Sequence, residues 1–138
     1  MINAYLSFNG NAMEAFQFYR SVFGGEFQTL QYFKDLPAEY LDEKESHRIL
    51  HVSLPVGKHS LLMGCDTSEH FGNKVNIGNN FTLSFTTEST EDADRIFLSL
   101  SRGGKVNRPM QNEFWGAYSG MLTDKFGINW MISFEPTA

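Results

Sequence analysis

A single cysteine, Cys65, is all the thiol chemistry that the 138 residues contain. One thiol makes no internal disulfide, and a chain of this length can bury a core without covalent staples. A reducing, cytoplasmic setting is therefore expected. Positive charge is also scarce. Eleven Lys and Arg stand against 16 Asp and Glu, for a net charge of −5. With no basic patch to meet phosphates, nucleic acid is not expected as a partner. No stretch approaches the ~20 apolar residues of a membrane span, so no membrane partner is expected either. Met1, Ile2 and Asn3 run straight into strand-like alternation without a cationic and apolar leader, so no signal peptide is expected. Neither G-x-G-x-x-G nor a P-loop occurs, which removes the usual phosphate-cradling turns. The Gly-Gly pairs follow helical stretches rather than precede them, which argues against an S-adenosylmethionine site, and no cofactor is expected.

What the chain does have is a doubled pattern. Ile2, Ala4, Leu6 and Phe8 alternate with Asn3, Tyr5 and Ser7, the period-two signature of a strand. Asn11, with Glu14 three residues on, reads as a capping box. Ala12, Ala15, Phe16, Tyr19, Val22 and Phe23 then form one helical stripe, and Gly24-Gly25 ends it. A strand is expected over residues 26–33. Residues 34–47 read as an acidic surface loop around Pro37. Leu50, Val52 and Leu54 alternate with His51 and Ser53, and a turn at residues 55–58 returns the chain through residues 60–65. After a polar link the grammar repeats. Phe81, Leu83 and Phe85 alternate with Asn80, Thr82 and Ser84, and Ser89 with Asp92 reads as a second cap. Ala93, Ile96, Phe97 and Leu100 make the second stripe, Gly103-Gly104 stops it, and three strands follow near residues 105–111, 117–124 and 128–134. The expectation is an α+β fold: one domain of two tandem βαβββ modules, about residues 1–66 and 79–138, whose curved sheets enclose a cleft.

A helix with one apolar stripe buries it on a sheet face of matching character. The apolar parity comprises Ile2/Ala4/Leu6/Phe8, Leu50/Val52/Leu54, Phe81/Leu83/Phe85 and Ile128/Trp130/Ile132/Phe134. The intervening residues point the other way. They include Tyr5, Ser7, His51, Ser53, Asn80, Thr82 and Met131, a polar set almost free of formal charge. An ordinary solvent face carries Lys, Glu and Arg. This set reads either as the lining of a pocket that orients a small ligand by hydrogen bonds, or as a face covered by a second subunit.

The quoted residues carry a likeness. Tyr5-Leu6-Ser7-Phe8-Asn9-Gly10-Asn11-Ala12, Phe18-Tyr19, Phe23-Gly24-Gly25, Trp115-Gly116 and Asp124-Lys125-Phe126-Gly127-Ile128-Asn129-Trp130 resemble the vicinal oxygen chelate superfamily of glyoxalase I, bleomycin-resistance proteins and extradiol dioxygenases. Within it the chain is most similar to PhnB-like proteins, which often bear a 3-demethylubiquinone methyltransferase domain label. The resemblance spans the whole chain and implies the glyoxalase-like fold and a homodimer. Metal-dependent members place a His or Glu on the first and last strand of each module. The matching positions here are Tyr5 (or Asn3), Leu61 (or Met63), Asn80 and Met131, none of them a divalent-ion ligand of that type. The fold is thus expected without the metal. The alternatives are a metal-dependent lyase, isomerase or dioxygenase with ligands at other registers, or a protein whose mixed face is mainly a dimer interface.

Other chemical signals are sparser. His47 and His51 stand ~13 Å apart on an extended segment, too far to share an ion. His51 alone, on a mixed strand face, is the candidate catalytic group for proton transfer, unless it is a hydrogen-bonded structural histidine. His59 and His70 are expected in solvent, and Cys65 as a small core residue. The 13 phenylalanines build an aromatic core or line an aromatic pocket. Phe114 and Trp115, before Gly116, form either a pocket wall or a plug packed on the core or a partner. Arg48 and Arg108 are the nearest candidates for an anion site. The expected binding set is Tyr5, Ser7, Ser53, Asn80, Thr82, Trp115 and Met131, with a small organic molecule as ligand.

Overall fold

The computed structural model of the chain describes residues 1–68 and 74–136. It divides into two compact units, Met1–Asn76 and Ile77–Ala138. In the first, β1 (Ala4–Phe8) leads to α1 (Ala12–Phe23), then β2 (Thr29–Tyr32), β3 (Ile49–Val56) and β4 (Ser60–Asp66). In the second, β5 (Leu83–Thr87) leads to α2 (Thr90–Ser101), then β6 (Lys105–Asn112), β7 (Tyr118–Thr123) and β8 (Asn129–Phe134). Each unit holds one four-stranded sheet, ordered β1-β4-β3-β2 and β5-β8-β7-β6. The first and last strands of each module run parallel, and the remaining pairs are antiparallel. This is the expected α+β architecture of two βαβββ modules.

Both helical stripes bury as their spacing predicts. Ala12, Ala15, Phe16, Tyr19 and Val22 of α1 are buried, as are Ala93, Ile96, Phe97 and Leu100 of α2. Gly24 takes φ +79, the left-handed region where glycine carries no Cβ penalty, and its N–H reaches Arg20 O at 2.8 Å. Close packing of α1 needs a second glycine. A Cβ on Gly64 of β4 would sit 2.7 Å from Leu6 O and 2.7 Å from the Phe16 ring.

The strand parities hold in the strand centres and fail at their ends. Leu6 and Phe8 are buried while Tyr5 and Ser7 are exposed. Ile2, however, is 99% exposed and precedes β1. Phe81 is exposed and precedes β5, so Asn80 and Thr82 lie outside the strand expected to carry them. The cause is the partner strand. β5 pairs with β8 from Leu83–Trp130 onward, and β8 begins only at Asn129. In β3 the register shifts: Gln31 pairs with His51 and Tyr32 with Ile49, leaving Leu50 as the extra residue of a bulge. Ile49 takes the core position instead, fully buried, and Leu50 is turned out of the stripe expected for it. Residues 34–47 form three 3₁₀ turns, at Phe33–Asp35, Ala38–Tyr40 and Glu43–Glu45.

Candidate functional site

Strand alternation assembles the first module's mixed face. Tyr5 pairs with Met63 and Ser7 with Cys65 across the parallel β1–β4 ladder. Val52 pairs with Gly64 in the antiparallel β3–β4 ladder. His51, before Val52, and Cys65, after Gly64, therefore share the face opposite to the helix. Tyr5 of β1 reaches over β4 to His51 of β3. Its hydroxyl lies 3.3 Å from His51 Nδ1, and the two rings stand 5.6 Å apart at 30°. Tyr5 is half-exposed. Burial of the hydroxyl, then hydrogen bonding and charge interaction with the Cys65 side chain, pushes its pKa up to about 12. The phenol is thus held neutral across the physiological range, able to donate and accept a hydrogen bond.

Beside this pair a cavity of about 540 Å³ opens on the first module. Its polar wall is Ser7, Cys65, Thr67 and Ser68, and its apolar wall Phe33, Leu50 and Val75. Lys74 and Asn76 complete the rim. The bulge at Leu50 is what aims that side chain at the cavity rather than at the core. Asp66 also lines it, but both carboxylate oxygens are engaged. Oδ1 accepts from Gly10 N and Ala12 N, each at 2.9 Å, and Oδ2 from Ile49 N at 2.9 Å. Asn9 Oδ1 steadies the rim, accepting from Thr67 Oγ1 and Val75 N.

The residues expected to form a site divide between the modules. Tyr5, Ser7 and His51 share one sheet face, and Ser7 lines the cavity. Ser53 shares the parity but is buried, 2% exposed. In the second module, Met131 sits between Ser84 and Met121 in the ladder. Asn80 and Thr82 are exposed and precede β5. Trp115 lies in the β6–β7 turn, 56% exposed, with its ring edge-on to Phe114 at 4.9 Å. The anion candidates are tied down locally. Arg48 Nη1 donates to Thr67 O at 2.7 Å, and Arg108 pairs with Glu113, which also accepts from Ser119 Oγ. His59 is exposed in the β3–β4 turn, and His70 lies outside the described residues.

Cys65 departs from expectation. It is a half-buried wall residue of the cavity, not part of the core. The same alternation that placed Tyr5 and Ser7 would have found it, applied to Leu61, Met63 and Cys65 of β4. Thr67, Ser68, Lys74 and Asn76 had no such signal, because they lie past the strand end, where periodicity stops.

The fold family implies a divalent ion in some members, and the residues here do not fit one. Tyr5, Met63, Asn80 and Met131 offer no imidazole or carboxylate. Among the described residues, no three or more His, Cys, Asp or Glu groups are gathered so as to hold a metal.

Comparison with known proteins agrees with the fold. Residues 1–132 match the Glyoxalase/Bleomycin resistance protein/Dioxygenase superfamily. Protein YjdN of Escherichia coli K12 is 28% identical over 141 residues, covering 96% of this chain and 93% of YjdN. The crystal structure of protein PA1353 from Pseudomonas aeruginosa superposes with a TM-score of 0.86 at 34% identity, over 98% of this chain and 97% of that one. A PhnB protein from Bacillus cereus shares the fold, with a TM-score of 0.77 at 23% identity over 96% and 98% of the two chains.

Proposed function

The chain belongs to the glyoxalase/bleomycin resistance/dioxygenase superfamily, and from that premise we propose that it binds a small organic molecule in the first module, without a tightly held metal. The observation that carries this reading is the Tyr5–His51 hydrogen bond, set on an open sheet face beside the 540 Å³ cavity. Phe33, Leu50 and Val75 accept the apolar body of a ligand, and the Ser7 and Thr67 hydroxyls orient its polar end. Tyr5 and His51 do not line the cavity but share the sheet face of Ser7 and Cys65, which do; in this reading the site sequesters its ligand or acts on it by acid-base chemistry through that pair. No step passes through a metal. The reading takes the protein to be cytoplasmic and homodimeric. The lone cysteine favours a reducing compartment, and exposed Phe114 and Trp115 offer a second copy an aromatic surface to cover.

Thermal-shift and NMR screening against small aromatics and phosphonates tests it. A specific ligand stabilises the native state by about 2.7 kcal/mol at a hundred times its Kd. Chemical shifts are expected to move at Ser7, Leu50 and Cys65, with unchanged affinity after dialysis against a chelator. Loss of binding on chelation, with one ion per chain, would falsify the metal-free reading. Silence across the whole set would remove the binding reading itself.

A further inference from the structure

We propose that the cavity of the first module selects a ligand whose polar end donates hydrogen bonds, an arylalkyl amine, and turns away carboxylates and phosphonates. The inference rests on the reading above, that the first module binds small organic molecules, and names the chemical class of the ligand.

The direction of the hydrogen bonds in the wall carries it. Thr67 Oγ1 lies 3.2 Å from Asn9 Oδ1, and the same Asn9 atom accepts from Val75 N at 3.2 Å. A backbone N–H only donates, so that atom is the amide oxygen, and the Thr67 hydroxyl proton is spent on it. The Thr67 N–H is spent as well, on Phe8 O. Ser68 Oγ donates to Glu45 Oε2 at 2.8 Å within a buried pair, since a carboxylate oxygen accepts. Asp66 takes its three N–H groups and gives none. What Thr67 presents to the cavity is therefore an acceptor. The strong donors of the lining, Ser7, Lys74 and Asn76, are all exposed, where water competes for them.

An anion set against this wall gives up hydration and meets lone pairs in return. The buried carboxylate of Asp66 lies in the same wall, and that of Glu45 lies one hydrogen bond behind Ser68. Against these two buried carboxylates stand Arg48, part-buried with Nη1 on Thr67 O, and the exposed Lys74. Exposed charge is screened by salt and water more than buried charge. An ammonium group reverses each of these costs. Its N–H donates to Thr67 Oγ1 in a charge-assisted bond, while Phe33, Leu50 and Val75 receive the aryl and alkyl body. No covalent step is involved.

The test is NMR titration of the intact protein at neutral pH with 2-phenylethylamine, 2-phenylethanol and phenylacetate, three probes of nearly one shape. The amine is expected to bind about tenfold or more tighter than phenylacetate, with the alcohol between them and shifts centred on Leu50 and Thr67. Thr67→Val is expected to weaken the amine about tenfold, whereas Thr67→Ser, which keeps the hydroxyl, holds its affinity within about threefold. Lys74→Met is expected not to weaken it. Phenylacetate binding as tightly as the amine overturns the proposal and leaves the first module a binding site. So does an amine affinity within about twofold of the parent in folded Thr67→Val. Silence from these three probes beside binding by other small aromatics overturns the proposal alone, whereas silence across the whole screen removes the underlying reading with it.

Discussion

Asp66 ties three segments together beside the cavity. Its two oxygens collect the N–H groups of Gly10, Ala12 and Ile49, tying the start of α1 and the start of β3 to the end of β4. Asp66→Asn keeps the shape but turns one acceptor into a donor facing a backbone N–H. The unfolding free energy is expected to fall by about 1–3 kcal/mol, measured by urea denaturation, with amide exchange accelerated at Gly10, Ala12 or Ile49. An unchanged midpoint would contradict this role. The sequence suggests only that Asp66 shapes the next turn. Its partners lie 56, 54 and 17 residues away, and no local spacing signals a bond of that range.

At the scale of elements, two helices that look similarly capped in sequence are capped differently. Ser89 Oγ accepts from Asp92 N at 3.0 Å, the expected bond. Asn11 makes no side-chain cap bond, since Asp66 has taken over the N-terminus of α1. Ser89→Ala is therefore expected to cost about 0.5–2 kcal/mol, while Asn11→Ala changes stability by no more than about 0.5 kcal/mol. Thermal melts of the two variants check the contrast, and equal losses would refute it. Helix faces were legible because apolar spacing over twelve residues leaves one solution: all five buried positions of α1 and all four of α2 belong to the stripes read from sequence. Strand limits were not. Whether Ile2 or Phe81 continues a strand depends on where the neighbouring strand starts. The Leu50 bulge was invisible because Leu50, Val52 and Leu54 alternate straight through it. The candidate site was half legible for the same reason. Tyr5, Ser7 and His51 lie mid-strand, whereas the rim beyond Asp66 lies where no period applies.

For the whole molecule, the response to alkali follows from two tyrosines. Tyr5 is raised to about 12 by burial and then by Cys65. Tyr118 is raised by its hydrogen bond to Asp94, at 2.6 Å, and then by burial. A phenol raised in the folded state keeps its proton after the unfolded chain has lost its own. The stability this confers is fully present below pH 10 and, for Tyr5, is lost as pH climbs from 10 to about 12; Tyr118 adds a loss of the same sign above pH 10. Stability is expected to decline through that window, and less steeply in Tyr5→Phe and Tyr118→Phe. Phenolate absorbance titration with parallel urea melts measures both, and an identical slope in the double variant would exclude the tyrosines as its source.

The edge position of β1 has a kinetic side. Among the described residues its ladder is the parallel one with β4, made between segments far apart in the chain, whereas β3 and β4 meet through a short turn. Closing a loop of that length is slow. The Tyr5–His51 hydrogen bond, between residues 46 apart, therefore exists only while that edge strand stays zipped. Opening β1 would part Tyr5 from His51 while leaving the β2–β3 and β3–β4 ladders paired.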